Sequence, residues 1–191
     1  MDNFDIVKNL LIKDRSIRRF QQKEISFDLI KKIIDLTRYC ASGRNLQPLK
    51  YKIITEPNLR KEIYPLLAWA GYLTDWDGPQ ENERPTAYIL QCLDTDITSN
   101  CLCDDGLQLQ ALTLGATSLG IGNCIIKSFN NIKLRELLHL SDNLKIQYVV
   151  ALGYPAETSV IEKNVNGDIK YFRTADGRHH VPKRDINEII L

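Results

Sequence analysis

The chain has 191 residues, of which 43% are hydrophobic and 26% charged, as is usual for a globular protein with one sizeable core. The formal net charge of +1 provides no overall field to attract nucleic acid or an anionic membrane, so the composition argues against both partners. No apolar run is long enough to cross a bilayer, and the charged, amphipathic N-terminus is unlike a signal peptide.

Apolar residues at helical spacing predict two helices near the start of the chain, the first over residues 3–12 and the second within residues 25–40. Ser26 is a suitable N-cap for the second helix, because its hydroxyl can accept a hydrogen bond from a backbone N–H of the first turn. The residues predicted on the buried face of this helix are Leu29, Ile30, Ile33, Ile34 and Thr37.

A strand and a third helix are predicted next. The β-branched and aromatic residues 51–55 favour a strand, and Pro57 suits the first turn of a helix that Pro65 ends or bends. Residues 71–85 are polar, rich in turn-forming residues and without periodicity. We therefore predict that they form a mobile surface segment, which could act as a lid over a binding site.

The second half of the chain contains two further strands and two helices. Residues 86–93 and 146–154 are predicted strands, and the nearly continuous apolar run of the latter indicates a central strand buried on both faces. A long helix is predicted over residues 99–119 and a short one from Asn130 to Leu138. The predicted buried positions of the long helix include Leu102, Leu109, Leu112, Ala116 and Leu119. The mixed order of helices and strands favours an α+β layered fold.

The C-terminal segment, residues 155–191, differs in composition from the rest of the chain. It is charged and poor in core-forming residues, and Asn166-Gly167 within it is a strong turn signal. Such a segment would bury itself poorly on its own body. We therefore expect it to form an arm that extends onto a partner subunit.

Two basic segments could bind an anion. Near the start, Arg15, Ser16 and Arg18 supply guanidinium and hydroxyl donors of the kind that a phosphate requires. Near the end, Lys183 and Arg184 could approach the same anion if the fold or a dimer brings the two ends together. The alternatives from these residues alone are a solvated basic turn and a charged tail.

A loop of small, amide and hydroxyl side chains separates the second helix from the first predicted strand. Ser42, Asn45 and Gln47 within it suit a flat, polar ligand. The G-x-G of residues 119–124 lacks a third glycine and follows a helix, so it does not fit a Rossmann site, although its backbone could approach a planar ligand. No hydrolytic triad is visible, which suggests that an enzyme of this sequence relies on a cofactor.

The cysteines and histidines do not indicate a metal site. The five cysteines are an odd number, which favours reduced thiols in the cytoplasm over a disulfide framework. Cys101 and Cys103 have no second pair at the spacing of a structural zinc site. His179 and His180 would point to opposite faces of a strand. We predict a cytoplasmic protein without a metal, forming a single domain over residues 1–191.

Four separated segments together resemble the nitroreductase family of flavin mononucleotide (FMN) oxidoreductases. They are RSIRRF, CASGRNLQP, LGATSLGIGNC and VVALGYPAE, followed by the basic HHVPKR, and they lie in the family's order over nearly the whole chain. The resemblance implies a mixed, largely antiparallel central sheet flanked by helices. It also implies a homodimer with two FMN sites at the subunit interface and an arm, residues 155–191, extending onto the partner subunit.

The resemblance also implies roles for individual residues. The flavin carries the chemistry, so no side chain is predicted to be catalytic. The predicted cofactor-binding residues are Arg15, Ser16, Arg18, Ala41, Ser42, Asn45, Gln47, Ile121, Gly122, Lys183 and Arg184. In the family the lid region corresponds to residues 69–78 of this chain, and its three aromatic residues, Trp69, Tyr72 and Trp76, could stack on the substrate or pack as core.

The activity implied by the resemblance is transfer of electrons from NADH or NADPH to a small organic acceptor. A nitroaromatic compound or a quinone would bind after the nicotinamide product leaves, in a ping-pong mechanism. Two alternatives remain open from the sequence: an FMN-binding sensor or carrier without substantial turnover, and a non-flavin interaction module whose basic tail binds an acidic partner.

Overall fold

A computed structural model describes residues 2–191, and Met1, the first residue of the predicted domain, lies outside the described residues. The helices are α1 (Asn3–Lys13), α2 (Phe27–Asp35), α3 (Pro57–Ile63), α4 (Asp104–Ser118) and α5 (Asn131–Leu137). The strands are β1 (Phe20–Gln21), β2 (Leu49–Ile54), β3 (Ala87–Asp94), β4 (Gly122–Ile126), β5 (Leu144–Pro155), β6 (Ser159–Lys163), β7 (Phe172–Arg173) and β8 (His179–Lys183).

Strand β5 is the centre of the larger sheet. One of its edges pairs with β3, which in turn pairs with β2, and its other edge pairs with β4 and, near its end, with β1. All of these pairs are antiparallel. The central strand predicted over residues 146–154 is therefore confirmed, as is the α+β fold with a largely antiparallel sheet.

The sheet is buried on both faces, which explains why β5 is apolar without alternation. Ile89 and Val150 belong to a core cluster that also contains residues of α2 and α4. Their neighbours Leu90 and Val149 belong to a second cluster with residues of α3 and α5. Successive side chains point to opposite faces of a strand, so each strand contributes to both clusters.

Most local signals in the sequence are confirmed. The Ser26 hydroxyl accepts a hydrogen bond from the N–H of Leu29 at 3.3 Å, and Asn130 caps α5 in the same way. Pro57 begins α3. Asn166 and Gly167 both have positive φ, 54° and 78°, as a tight turn between strand-like segments requires.

The start of α4 and the strand β4 differ from the prediction. The helix begins at Asp104 rather than residue 99, because the side chain of Asn100 accepts a hydrogen bond from the N–H of Leu102 and holds a turn there. Leu102 is 68% exposed and Leu119, beyond the helix end, is 38% exposed, so the prediction that both are buried is wrong. Residues 122–126, for which the sequence predicts no strand, pair with β5.

The C-terminal segment forms a small sheet of its own and packs on its own chain over part of its length. Strand β8 pairs parallel to β6 and antiparallel to β7. His179 on β8 is only 1% exposed. Residues 165–170 and 184–191 of the predicted arm are exposed throughout. Within residues 2–191, the structure contains no helix that is both long and apolar enough to span a membrane.

Candidate functional site

A polar cavity of about 310 Å³ lies where the end of α1, the middle of α4, strand β4 and strand β8 meet. Its walls combine residues from the beginning and from the end of the chain. The lining residues are Asp14, Arg15, Ser16, Arg18, Gln110, Thr113, Asn123, Ile125, Tyr171, His179, Val181 and Lys183. Four of the predicted cofactor-binding residues are thus brought together.

The segment that carries Arg15, Ser16 and Arg18 is held along the start of β4. The N–H of Ile17 donates a hydrogen bond to the carbonyl of Asn123 at 2.7 Å, and Ser16 forms a parallel bridge with the same residue. The guanidinium of Arg15 donates to the carbonyl of Leu11, in the last turn of α1, at 2.7 Å. These contacts fix the segment in an extended form with its donors at the cavity wall.

Lys183 brings a second cation to the cavity from β8. Burial lowers the pKa of its ammonium group, and the nearby charge of Arg15 lowers it further. Two like charges that approach each other from opposite ends of the chain repel unless an anion lies between them. The cavity therefore has the electrostatic character of an anion site, and a phosphate would satisfy both cations.

Arg18 contacts two aromatic side chains of the cavity wall, His179 and Tyr171, whose own ring centres are 5.1 Å apart. Its guanidinium lies 3.1 Å from Nε2 of His179 and 4.9 Å from the centre of the Tyr171 ring. Burial, and then the charge of Arg18, lower the pKa of His179 to about 4, so the imidazole is neutral at pH 7. The Nε atoms of Arg15 and Arg18 and Nδ1 of His179 are buried without a hydrogen-bond partner among the described residues.

Asp14 anchors this wall through four hydrogen bonds. Its buried carboxylate accepts from the side chains of Thr113 at 2.7 Å, Gln110 at 2.8 Å, Asn123 at 2.9 Å and Thr117 at 3.2 Å. It therefore joins the end of α1 to α4 and β4, one residue before Arg15. No local sequence pattern identifies Asp14, because its partners lie about a hundred positions away in the chain.

A second buried carboxylate, Glu157, ties the same segment to the C-terminal sheet. It accepts from the backbone N–H groups of Arg18 at 2.5 Å and Arg19 at 3.2 Å, and from the guanidinium of Arg173 at 2.7 Å. The side chain of Arg19 turns away from the cavity to a bidentate pair with Glu83. Of the arginines in residues 14–20, Arg15 and Arg18 are thus the two at the cavity.

The polar loop does not line this cavity on the same chain. The Ser42 hydroxyl donates to the carboxylate of Asp104 at 2.6 Å and accepts from the N–H of Gln47 at 2.9 Å. Asn45 and Gln47 have positive φ, 57° and 51°, and are exposed, as is Ala41. This conformation, uncommon for residues other than glycine, presents their side chains at the surface near the start of α4.

The three remaining predicted cofactor-binding residues lie elsewhere. Ile121 is buried in the core, and Gly122 packs so closely that a Cβ there would lie 3.0 Å from Ile17. Gly122 therefore lies beneath the segment that carries the cavity's donors, whereas Ile121 packs in the core cluster that contains residues of α2 and α4. Arg184 is exposed and lines a separate cavity at the end of β8.

The aromatic residues of the lid region have different neighbours. Trp69 stacks on Tyr64 with ring centres 5.8 Å apart and packs against a core cluster. The Tyr72 ring lies 4.9 Å from that of Tyr171, which lines the cavity. Trp76 lies under the guanidinium of Arg173 at 4.7 Å. Only Tyr72 among the three thus touches a residue of the cavity wall.

The metal-ligating residue types are dispersed. Residues 2–191 contain no group of three or more histidine, cysteine, aspartate or glutamate side chains arranged to hold a metal ion. His179 packs against Arg18, whereas His180 pairs with Glu162, so the two histidines point to opposite sides of β8.

Comparison with known proteins places these observations in a family. A model described as the nitroreductase family matches residues 13–88 and 102–154. The chain is 25% identical over 206 residues to a 4-nitrobenzoate reductase of Pseudomonas putida, covering 84% of this chain and 88% of that protein. It is 25% identical over 170 residues to an NADPH-dependent oxidoreductase of Staphylococcus aureus, covering 80% of this chain and 66% of that protein.

The fold has matching solved structures. A protein of Desulfovibrio desulfuricans, solved in complex with FMN, superposes with a TM-score of 0.73 at 20% sequence identity. The superposition covers 100% of this chain and 97% of that one. At this level of identity the likeness concerns the fold.

Proposed function

The chain belongs to the nitroreductase family, and we propose that it transfers electrons from NADH or NADPH, through FMN, to a small organic acceptor such as a nitroaromatic compound or a quinone. One observation carries the proposal: Arg15, Ser16, Arg18 and Lys183, from both ends of the chain, line one cavity. The relatives named 4-nitrobenzoate reductase and NADPH-dependent oxidoreductase support both the acceptor class and the electron donor.

The cavity's donors suit the phosphate of FMN. Arg15, Arg18 and Lys183 supply positive charge, and the Ser16 hydroxyl supplies a neutral donor. The buried Nε atoms of the two arginines have no hydrogen-bond partner within residues 2–191, so these residues alone do not satisfy the donors of this wall. We assign these four residues to the phosphate, and Arg184 to its outer edge.

The amides of Gln110 and Asn123 in this cavity already donate to Asp14, so the ring of the flavin needs further donors. Ala41, Ser42, Asn45 and Gln47 stand on a surface loop held to Asp104, outside the cavity wall. We propose that this loop completes the site of the partner subunit in a homodimer. Residues 1–191 would then act as one FMN-binding domain, with residues 155–191 supplying Lys183 and an exposed arm for the partner.

An exposed apolar surface supports the dimer. Helix α1 has no buried residue, and its apolar side chains Phe4, Val7 and Leu11 are 73%, 53% and 39% exposed. They recur at spacings of three and four residues and so share one face of the helix. Monomeric proteins rarely leave a contiguous apolar helix face in water, which favours burial against a second copy.

When bound, FMN supplies the redox chemistry by accepting a hydride from the nicotinamide and passing electrons to the acceptor. The chain's own residues bind and orient. The amides of Asn45 and Gln47 would stabilise negative charge at the polar end of the ring, and Ser42, whose hydroxyl donates to Asp104, would hold the loop in place. No side chain of the cavity needs to act as a nucleophile.

The two substrates would use one place in turn, which is a ping-pong mechanism. The lid region, residues 71–85, lies beside the cavity through the contact of Tyr72 with Tyr171. We propose that Tyr72 contributes to the wall above the flavin and excludes water there, while Trp69, which packs against the core, supports the lid from below. Ile121 and Gly122 would form the floor. The five unpaired thiols favour a reducing compartment such as the cytoplasm.

The first test is the visible absorption spectrum of the purified, desalted protein. We expect an oxidised-flavin spectrum with one FMN per chain, bleached anaerobically by NADH or NADPH and restored by a nitroaromatic compound or a quinone. A colourless protein that stays colourless after incubation with FMN would overturn the cofactor assignment. A flavin that NAD(P)H does not reduce would instead favour a sensor or carrier.

A further inference from the structure

A second cavity, of about 250 Å³, lies on the other side of the molecule's N-terminal segment, between α3, residues 81–85 and β3. It shares no lining residue with the cavity assigned to the phosphate. Its lining residues are Gln22, Glu24, Pro57, Arg60, Lys61, Glu81, Arg84, Pro85 and Tyr88. The family activity gives this cavity no role.

The charges around this cavity do not cancel. Arg60 donates to the carboxylate of Glu24 at 2.8 Å, and Lys61 lies 4.0 Å from the carboxylate of Glu81. Arg84 forms no ion pair with any carboxylate among residues 2–191. Three cations therefore face two anions, and the uncompensated positive charge belongs to Arg84.

The guanidinium of Arg84 is held in place without being neutralised. It lies 3.9 Å from the centre of the Tyr64 ring, against the ring face. The hydroxyl of Tyr64 donates to the carbonyl of Pro79, which fixes the ring. Stacking on a ring face leaves the in-plane N–H donors of a guanidinium available to a planar acceptor.

Tyr88 supplies a second donor. It lies on β3, is 1% exposed and lines the cavity, and its hydroxyl forms no hydrogen bond with another residue of the described chain. Burial raises the pKa of this hydroxyl against the opposing effect of Arg60 and Arg84, so it carries its proton at neutral pH. Because Tyr88 lines the cavity and its hydroxyl has no hydrogen-bond partner among residues 2–191, the O–H is available to donate to an acceptor bound there.

We propose that this cavity binds a small carboxylate monoanion, with Arg84 as its ionic partner and the Tyr88 hydroxyl as a second donor. A carboxylate matches the planar fork of a guanidinium, and a single negative charge matches the one uncompensated positive charge. Pro57 and Pro85 provide apolar walls for a short alkyl chain. A doubly charged phosphate would leave one negative charge unbalanced among Glu24 and Glu81.

The test measures binding of butyrate to the FMN-loaded enzyme by isothermal titration calorimetry at constant ionic strength. Butyramide, which has the same shape without the charge, is the ligand control, and inorganic phosphate is the second probe. We expect saturable butyrate binding with a dissociation constant in the millimolar range and no change in the flavin spectrum. Butyramide and phosphate should bind at least about tenfold more weakly.

Two variants locate the binding. Arg84→Gln should weaken butyrate binding about tenfold or more, because it removes the charge partner. Tyr88→Phe, which changes one atom of a buried side chain, should weaken it several-fold and decides the matter if Arg84→Gln does not fold. Arg38→Gln removes an exposed guanidinium that follows α2, a helix that packs on the opposite face of the sheet from α3, and should bind butyrate as the unmodified enzyme does.

Three results would each overturn the proposal. The first is the absence of saturable butyrate binding up to roughly ten times the expected dissociation constant. The second is undiminished butyrate binding in both variants. The third is tighter binding of phosphate than of butyrate, which would assign the cavity to a different class of anion.

Discussion

At the scale of single residues, Arg15 and Lys183 show how an anion site can be recognised without its ligand. Burial and a neighbouring cation both lower the pKa of Lys183, so the folded chain keeps two positive charges together at a cost. The repulsion between the two cations is offset when an anion binds between them, so a cavity that keeps both cations is expected to bind an anion.

Replacing Arg15 with alanine tests that reasoning. Loss of one charge-assisted contact to the phosphate should weaken FMN binding by roughly 10- to 100-fold, or about 1.5–3 kcal/mol. The free energy of unfolding of the FMN-free protein should fall by less than about 1 kcal/mol, since only the bond to the Leu11 carbonyl is lost. FMN fluorescence during dialysis and urea unfolding provide the two readouts. Unchanged FMN affinity in Arg15→Ala, relative to Arg38→Ala as control, would remove Arg15 from the site.

Asp14 is expected to behave in the opposite way. Asp14→Ala leaves buried donors of Gln110, Thr113 and Asn123 without an acceptor, and should reduce the free energy of unfolding by about 2–4 kcal/mol. Asp14→Asn keeps the shape but turns an amide N–H₂ toward the same donors, so it should also destabilise. Thermal unfolding of the FMN-free variants measures this. Stability equal to that of the unmodified protein would show that the network contributes little.

At the scale of elements, strand β8 couples the C-terminal sheet to the cavity through His179. The folded chain holds this imidazole neutral, with a pKa of about 4, whereas an unfolded chain protonates it near its ordinary value of 6.5. The unfolded state therefore binds the proton first as the pH falls. The contribution of His179 to the free energy of unfolding is fully present above pH 6.5 and is lost progressively toward pH 4.

Between pH 7 and pH 4.5, the contribution of His179 to the free energy of unfolding should fall by about 2 kcal/mol. Urea unfolding midpoints across that range measure the change. In His179→Gln the same range should show a clearly shallower loss, because the titrating group is absent. His139→Gln, at an exposed position, should keep the slope of the unmodified protein. If the free energy of unfolding falls equally with pH in all three proteins, carboxylates alone determine the loss of stability in acid.

The sequence predicted the elements whose signals are local. Ser26, Pro57 and Asn130 each act through neighbours within three residues, so their helices start where expected. The start of α4 was missed because an asparagine turn at residue 100 competes with helix formation. Strand β4 was missed because its identity comes from pairing with β5, more than twenty residues away.

The candidate site likewise contains some residues that a local sequence pattern reveals and others that only the fold brings to it. The donor types of Arg15, Ser16 and Arg18 are visible in the sequence because they stand together. Their meeting with Lys183 depends on the packing of β8 against the N-terminal segment, through Glu157 and His179, and no local pattern encodes that contact. The resemblance to the family does predict that both basic segments approach one phosphate, which no local pattern indicates.

At the scale of the whole molecule, the apolar face of α1 predicts that dimerisation and FMN retention are linked. Val7→Glu places a charge on that face and should weaken the dimer by about tenfold or more. If the partner's loop completes the site as proposed, FMN should dissociate in parallel, because separating the subunits removes that loop. Ile132→Glu on α5, where the original side chain is 70% exposed, is the matched control and should remain dimeric. Sedimentation velocity with absorbance at the flavin band reports both quantities, and a monomeric Val7→Glu that retains FMN would break the link.

Mixing two defective chains asks directly whether the loop serves its own subunit or the other. Arg15→Ala removes a phosphate contact, and Asn45→Gly removes a loop side chain at a position whose φ of 57° glycine accepts readily. Each variant alone should retain little FMN. If the loop reaches across the dimer, every mixed dimer has one site in which both residues are intact and one in which both are altered.

After the two chains are exchanged in equal amounts, about half of the dimers are mixed, so about a quarter of all sites should regain the FMN affinity of the unmodified protein. If the loop serves its own chain, every site keeps one defect and no high-affinity fraction forms. FMN titration followed by flavin fluorescence separates the two cases, since only the first gives a biphasic curve. A loop held to Asp104, with its amides exposed and outside its own chain's cavity, favours the biphasic result.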